Sequence, residues 1–466
     1  MSSLLSVPGE CPFTGRETEL QALDRAYRER PGFAVLYGRR RIGKTRLVRE
    51  WLHRSGARGA YYFAQLASHK YNLRLMAEAL SKQLGDPLLA RLAPDRLGDL
   101  LLLAHRQGAE VVVIDEFTYW ARSEPRVLSE LQEFVDTVLP GTRMLLLITG
   151  SLIGVMESRV LGGGSPLYAR PRWRLRLGSL PYWHASRLLR RMSPEDRVRV
   201  YALVGGIPFY LCMLRDATSA REALELLLAQ PGAPLRDERE LLLREELREP
   251  RVYSTILSAL ARGYDRPSQI AAVTGIDEAH VRKYLHTMES LGFVGRDVPL
   301  FKRKGRYIIA DPILRTWHTI AEPLLHLLEL GRTREALNHA AHTLEKLAAQ
   351  TWEDLARTYL LARYAPKGYT QAGRLEHKGE EIDIAIIDPE HKKAIIAEAK
   401  WRTLTLGKAE KLRKQAQARA ARLLPKEYTI EETLIAARNI TTSKKTPWII
   451  TPEDLQEPPR TTHPQA

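Results

Sequence analysis

Residues 38–45 read Gly-Arg-Arg-Arg-Ile-Gly-Lys-Thr. Two glycines let a backbone curl and aim its N–H groups at phosphate oxygens, a lysine supplies charge for the outer phosphates, and a threonine hydroxyl suits the shell of Mg²⁺. Gly38, Arg39, Arg40, Arg41, Ile42, Gly43, Lys44 and Thr45, followed by Arg46, are therefore expected to line ATP with its Mg²⁺. A second feature, Asp115-Glu116, closes the apolar run Val111–Ile114. An acid at a strand tip can share the metal with Thr45, and the next carboxylate can polarise an attacking water. Asp115 is expected in the metal shell and Glu116 as catalytic base, with Lys44 acting on the transferred phosphate. Ser151, after Ile148-Thr149-Gly150, offers a hydroxyl to orient water or sense the γ-phosphate; an ordinary turn after a buried strand is the other reading.

A third set of residues has a different chemistry. Glu398 and Lys400 stand two apart in an apolar strand and so share one face, and Asp383 on the preceding strand can meet them. Carboxylates that hold Mg²⁺ beside a lysine that positions water are what metal-dependent phosphodiester hydrolysis requires. Glu353, upstream on a helix, completes an expected metal set of Glu353, Asp383 and Glu398, with Asp383, Glu398 and Lys400 in the catalytic roles.

The elements that must position these residues follow from periodicity. Phe33–Tyr37, Val111–Ile114 and Met144–Ile148 are continuous apolar runs separated by amphipathic helices, the pattern of a parallel sheet covered on both faces. A helix from Thr45, with Leu47, Val48, Trp51 and Leu52 on one side, would offer its N-terminus to the anion. From residue 161 to 248 the chain reads as helical and Leu/Arg-rich, broken at Gly205-Gly206-Ile207-Pro208. Residues 249–333 read as three helices, the second capped by Ser268 and the third by Asp277, then two strands joined by the basic tip Phe301-Lys302-Arg303-Lys304-Gly305-Arg306: a helix-turn-helix with a β-wing. Residues 334–455 read as helix, acidic hairpin, basic helix and strand. The polar, Pro-rich end, 456–466, is expected to be disordered.

Several of these motifs carry a family resemblance. Phe13-Thr14-Gly15-Arg16-Glu17, Ile148-Thr149-Gly150-Ser151, Ser165-Pro166-Leu167-Tyr168-Ala169-Arg170 and Gly205-Gly206-Ile207-Pro208 follow in the order found in the archaeal-type, STAND-like AAA+ ATPases. The resemblance implies an α/β fold: a P-loop AAA+ parallel-sheet core (1–160), a helical lid (161–248), a winged-helix domain (249–333) and a C-terminal restriction-endonuclease-like α/β domain (334–455). It also implies that Arg16 lies beside the adenine, that Pro208 comes near the nucleotide, and that Arg170 is an arginine finger or γ-phosphate sensor. Ala169 departs from the family's glycine. The Asp383…Glu398-x-Lys400 set resembles the PD-(D/E)xK nucleases, whose domain closes chains of this family.

With 71 Lys plus Arg against 55 Asp plus Glu, a net charge of +16, the composition favours polyanionic partners, and nucleic acid, DNA first, is expected. Cys11 and Cys212 are the two cysteines, too few for a disulfide framework, and neither a secretory leader nor a membrane span is legible. A cytoplasmic ATPase is expected, its oligomeric state open. The expected function is an ATP-driven switch acting on nucleic acid through a nuclease-like domain; the alternative is a regulatory or scaffold ATPase whose winged-helix and C-terminal domains bind without cutting.

Overall fold

Five runs of the first 180 residues form parallel strands: β1 (Gly32–Tyr37), β2 (Gly59–Phe63), β3 (Val111–Asp115), β4 (Leu145–Gly150) and β5 (Trp173–Arg176), in the order β2-β3-β4-β1-β5. The computed structural model describes residues 11–91, 94–230, 232–247, 249–441 and 446–459. The expected runs become β1, β3 and β4, and all three are buried along almost their whole length. A sheet sandwiched between helices must be apolar on both faces, so these strands lack polar alternation. Helices Lys44–Ser55, His69–Leu84 and Leu97–Arg106 turn one apolar side to the sheet, and Phe33, Val35, Ile114, Leu146 and Ile148 share one core with Trp120, Leu100 and Leu101.

β5 corrects the expected boundary. Residues 161–179 were expected in a helical lid, yet Ala34 to Tyr37 pair in parallel register with Trp173 to Arg176. Trp173 lies across Gly32, where a Cβ would stand 2.4 Å from its ring. The chain accordingly divides into a compact unit of residues 13–179 and a second formed by 180–466 with the segment ending at Pro12.

In that second unit the expected lid, winged-helix and C-terminal segments form one body. Pro194–Val204 is a helix capped by Ser193, whose hydroxyl accepts from Asp196 N at 3.1 Å. It packs on the 32-residue helix Thr333–Tyr364, with Val198 and Tyr182 in one core with Trp352 and Leu355. Gly206 lies against Leu180, where a Cβ would stand 1.9 Å from the carbonyl oxygen. Helices Pro250–Ala261, Pro267–Thr274 and Glu278–Leu291 and the antiparallel pair β6 (Val294–Asp297) and β7 (Arg306–Ile309) form the expected helix-turn-helix and wing. Asp277 caps the third helix, accepting from Ala279 N at 2.9 Å. Ser268 does not cap the second, which starts two residues earlier, with Pro267 at its first position and Arg266 as N-cap.

The C-terminal sheet has the order β12-β11-β10-β9-β8, from β8 (Gln371–His377), β9 (Glu380–Asp388), β10 (Lys393–Leu404), β11 (Thr429–Ile440) and β12 (Ile449–Ile450). β8, β9 and β10 run antiparallel, whereas β10, β11 and β12 run parallel. Helix Leu406–Leu423, capped by Thr405, covers one face with Ala416 and Ala420, and the long helix covers the other with Trp352, whose Nε1 donates to Ala436 O at 3.0 Å. The expected tail is fixed at its start, since Arg197 Nη1 donates to Gln456 Oε1 at 2.8 Å; residues 460–466 lie outside the described residues. The two cysteines are not separate thiols: Cys11 and Cys212 form a disulfide, S–S 1.89 Å, across a separation of 201 residues. No helix among the described residues is long and apolar enough to cross a membrane.

Ala169 has φ +60°. A Cβ in the left-handed region costs about 1 kcal/mol, which a glycine at that position escapes. Ala169→Gly should therefore stabilise the turn that carries Arg170 by roughly 0.5–1 kcal/mol, read as slower amide hydrogen exchange through residues 165–170; unchanged or faster exchange would show that strain there is relieved elsewhere.

Candidate nucleotide site and C-terminal acidic cluster

The phosphate loop sits where β1 gives way to helix Lys44–Ser55. Gly38 passes so close to the returning chain that a Cβ would stand 2.5 Å from Leu177 O, and Arg41 and Gly43 take left-handed φ values of +66° and +97°. Lys44 is buried. Its ammonium donates to Gly38 O at 3.0 Å and Arg39 O at 3.3 Å, inside the loop that it closes. Burial pushes the Lys44 pKa down, and the charges of Glu116 and Asp115 oppose that shift. Arg16, also buried, donates from Nη2 to Ile42 O at 3.2 Å and to Gly178 O at 2.8 Å, and from Nη1 to Glu19 at 2.9 Å. It therefore ties the Gly15-Arg16-Glu17 box to the backbone of the phosphate loop.

Asp115 ends β3 with no exposed surface. Its Oδ2 accepts from Thr45 Oγ1 at 2.6 Å and from the Tyr61 hydroxyl at 2.5 Å. Its Oδ1 accepts from Glu116 N at 3.0 Å and from the Thr149 hydroxyl. A buried carboxylate needs such donors because water no longer solvates it. Tyr61 is missing from the expected set; burial first, then the Asp115 charge, pushes its hydroxyl pKa up. Glu116 has φ +53°, which swings its side chain back into the site. Its Oε2 accepts from Ser151 N and Ser151 Oγ, both at 2.8 Å, and its Oε1 lies 3.7 Å from Lys44 Nζ. Lys44, Thr45, Asp115, Glu116 and Ser151 thus converge, and Ser151 holds the glutamate.

Arg170 and Pro208, the other expected nucleotide contacts, have these surroundings. Arg170 is committed to Asp136, with Nε and Nη2 each 2.8 Å from a carboxylate oxygen and Nη1 2.6 Å from Pro166 O. Pro208 belongs to the unit of residues 180–466, where it opens helix Pro208–Met213.

At the C-terminal cluster, Asp383 on β9 meets Glu398 and Lys400 on β10. Lys400 Nζ bridges them, 3.0 Å from Asp383 Oδ2 and 2.9 Å from Glu398 Oε1. Arg419, from the basic helix, donates to Glu398 Oε2 at 3.0 Å, and Ala399 N donates to Asp383 Oδ2 at 2.8 Å. Glu353 faces the same point: burial first and then the Asp383 charge push its carboxyl up to about 7. No three acidic, histidine or cysteine side chains among the described residues converge as a ready metal cradle. Lys400 instead pairs with both Asp383 and Glu398, and Arg419 with Glu398.

An ATPase domain predominantly from Archaea matches residues 13–214. An uncharacterized protein of Methanocaldococcus jannaschii is 30% identical over 403 residues, 84% of this chain and 88% of that one. The chain belongs to this archaeal P-loop ATPase family. Further along the ATPase, an IclR helix-turn-helix domain matches residues 254–298, and a family of archaeal and bacterial proteins of unknown function matches 317–412. Among solved structures, the ATPase is similar to a Walker-type ATPase of Pyrococcus abyssi, at 21% identity, 66% of this chain, 95% of that one and TM-score 0.48. It also aligns with the ORC1 protein of Aeropyrum pernix in complex with DNA, at 17% identity, 69% and 96% coverage and TM-score 0.32.

The raised Glu353 pKa has a stability consequence. Unfolded, this carboxyl ionises near its ordinary value; folded, it keeps its proton to about 7. Its contribution is therefore complete below the unfolded pKa and is lost as pH rises through 7. In chelator-containing buffer, Glu353→Gln should match wild type near pH 4 and exceed it by on the order of 1 kcal/mol at pH 8. A difference in unfolding free energy that does not change with pH would show that Glu353 titrates normally.

Proposed function

We propose that this ATPase is a nucleotide-driven switch that binds and hydrolyses ATP with Mg²⁺ and acts on nucleic acid, its C-terminal domain being a nuclease-like module. The observation that carries the first half is the 2.6 Å contact between Thr45 Oγ1 and Asp115 Oδ2, with Lys44 and Glu116 beside it. Thr45 and Asp115 fit a Mg²⁺ shell, and the ion would supply charge neutralisation on the β- and γ-phosphates. Lys44, now bonded to carbonyls of its own loop, turns to the outer phosphates. Glu116 Oε2, once Ser151 releases it, takes the proton of an attacking water. Arg16 holds the adenine side of the site through Ile42. Arg170, held by Asp136, would have to leave that pair to reach a γ-phosphate.

The nucleic-acid half draws on the helix-turn-helix, the net charge of +16 and the acidic cluster. Asp383, Glu398 and Glu353 would hold Mg²⁺ there and Lys400 would position water. One observation favours the second reading, in which the C-terminal domain binds without cutting: both carboxylates of the strand pair are already neutralised, by Lys400 and by Arg419.

Lys44→Ala should weaken ATP binding about a hundredfold or more, since a buried, charge-assisted contact is lost. Glu116→Gln should retain binding and lose roughly 10²–10⁴-fold in turnover. Equilibrium binding of a fluorescent ATP analogue, with phosphate release measured on the same preparations, checks both; unchanged turnover in either variant would remove the assignment. For the C-terminal cluster, Mg²⁺- or Mn²⁺-dependent cleavage of DNA or RNA should vanish in Asp383→Ala and Glu398→Ala. Equal, background-level cleavage by wild type and variants would leave the binding-only reading.

A further inference from the structure

The hairpin between β6 and β7 is not a free finger. Leu300 N donates to Arg374 O on β8 at 2.9 Å, and the Leu300 side chain packs against the C-terminal core cluster that includes Leu375, Ile382 and Ala420. Asp297 Oδ2 accepts from Arg306 Nε of the wing and from Arg374 Nε, both at 2.9 Å. Gly373 makes room for this seat, since a Cβ there would stand 2.9 Å from Leu300 Cγ.

What the seat leaves in water is informative. Phe301 is 49% exposed and takes φ +62°, a backbone conformation that disfavours a side chain. Its ring meets Tyr428 edge-on, with centroids 5.4 Å apart, and Lys392 Nζ lies 5.5 Å from the Tyr428 ring. Lys302, Arg303 and Lys304 follow directly and are exposed; the exposed acids closest in sequence to Lys392 and Tyr428 are Glu390 and Glu427. Leu300 and the Asp297–Arg374 pair fix the wing, and the Tyr428 contact takes only one edge of the Phe301 ring, so the exposed part of the ring is left as a surface. Cations beside an exposed aromatic face are what a single strand needs: a base stacks on the ring while the cations follow its phosphates.

We propose that the wing tip and the C-terminal domain form one composite surface for an unpaired stretch of polynucleotide, with a base on Phe301 and phosphates on Lys302, Arg303, Lys304 and Lys392. The proposal rests on the nucleic-acid reading above and names the site and strand form. Anisotropy titrations of the full chain with a labelled single-stranded oligonucleotide and its duplex, over a series of salt concentrations, test it. The single strand should bind about tenfold more tightly than the duplex. Phe301→Ala should lose roughly tenfold or more and Phe301→Trp should recover it. Replacing Lys302, Arg303 and Lys304 by alanine should lower the slope of log affinity against log salt by about 2, with an unchanged thermal midpoint because none of the three forms the seat. Wild-type affinity and slope in that triple variant would overturn the composite surface while leaving nucleic-acid binding in place, as would preference for the duplex. Binding to neither oligonucleotide, or to vesicles of anionic lipid instead, would overturn both readings.

Discussion

Taking the carboxylate of Asp115 out of water at the end of β3 is the constraint on which the nucleotide unit depends. A buried carboxylate without partners would lose a large share of a domain's net stability or take up a proton, so donors must come from every element that reaches the strand tip. Thr45 arrives from the helix after β1, Tyr61 from β2, Thr149 from β4, and the Glu116 amide from the turn itself. Four separate chain segments are therefore registered by one side chain. The strand order β2-β3-β4-β1-β5 is what permits this, because it puts β3 beside both β2 and β4 and brings the phosphate loop in from β1, one strand further on.

The left-handed turn at Glu116 follows from the same constraint. Once Asp115 is fixed inward, the next residue would ordinarily continue away from the site; φ +53° returns it, and the two donors of Ser151 and the nearby Lys44 ammonium repay the strain. Ser151 thus acts on the glutamate. A threonine and a serine two residues apart on one strand end, Thr149 and Ser151, hold the two adjacent acids separately.

What could be read from the sequence tracks how local the determining interaction is. The phosphate loop and the Asp115-Glu116 tip are written in consecutive residues, and β1, β3 and β4 are continuous apolar runs, so these were legible. β2 and β5 are edge strands: Trp173-Arg174-Leu175-Arg176 is only half covered, and its charged residues read as part of a helical lid. Tyr61 gives no local signal, because its partner Asp115 lies 54 residues away and the two meet only through the β2–β3 register. Arg170 was legible as a motif residue but its partner Asp136 was not, and the Cys11–Cys212 disulfide joins positions that no spacing rule connects. The acidic cluster was legible in its strand pair; Arg419, the cation that neutralises Glu398, comes from 21 residues further along and changes how that cluster is read.

The two acidic sites solve the same burial problem in opposite ways, and the difference bears on chemistry. Asp115 is hydrogen-bonded by hydroxyls and an amide, neutral donors, with the Lys44 ammonium acting on it only through space. Glu398, also buried, is satisfied by Lys400 and Arg419, so its charge is neutralised inside the protein. A divalent ion entering the first site adds to the existing bonds. At the second site it must displace an ammonium and a guanidinium, each of which would return to water or to a bound phosphate.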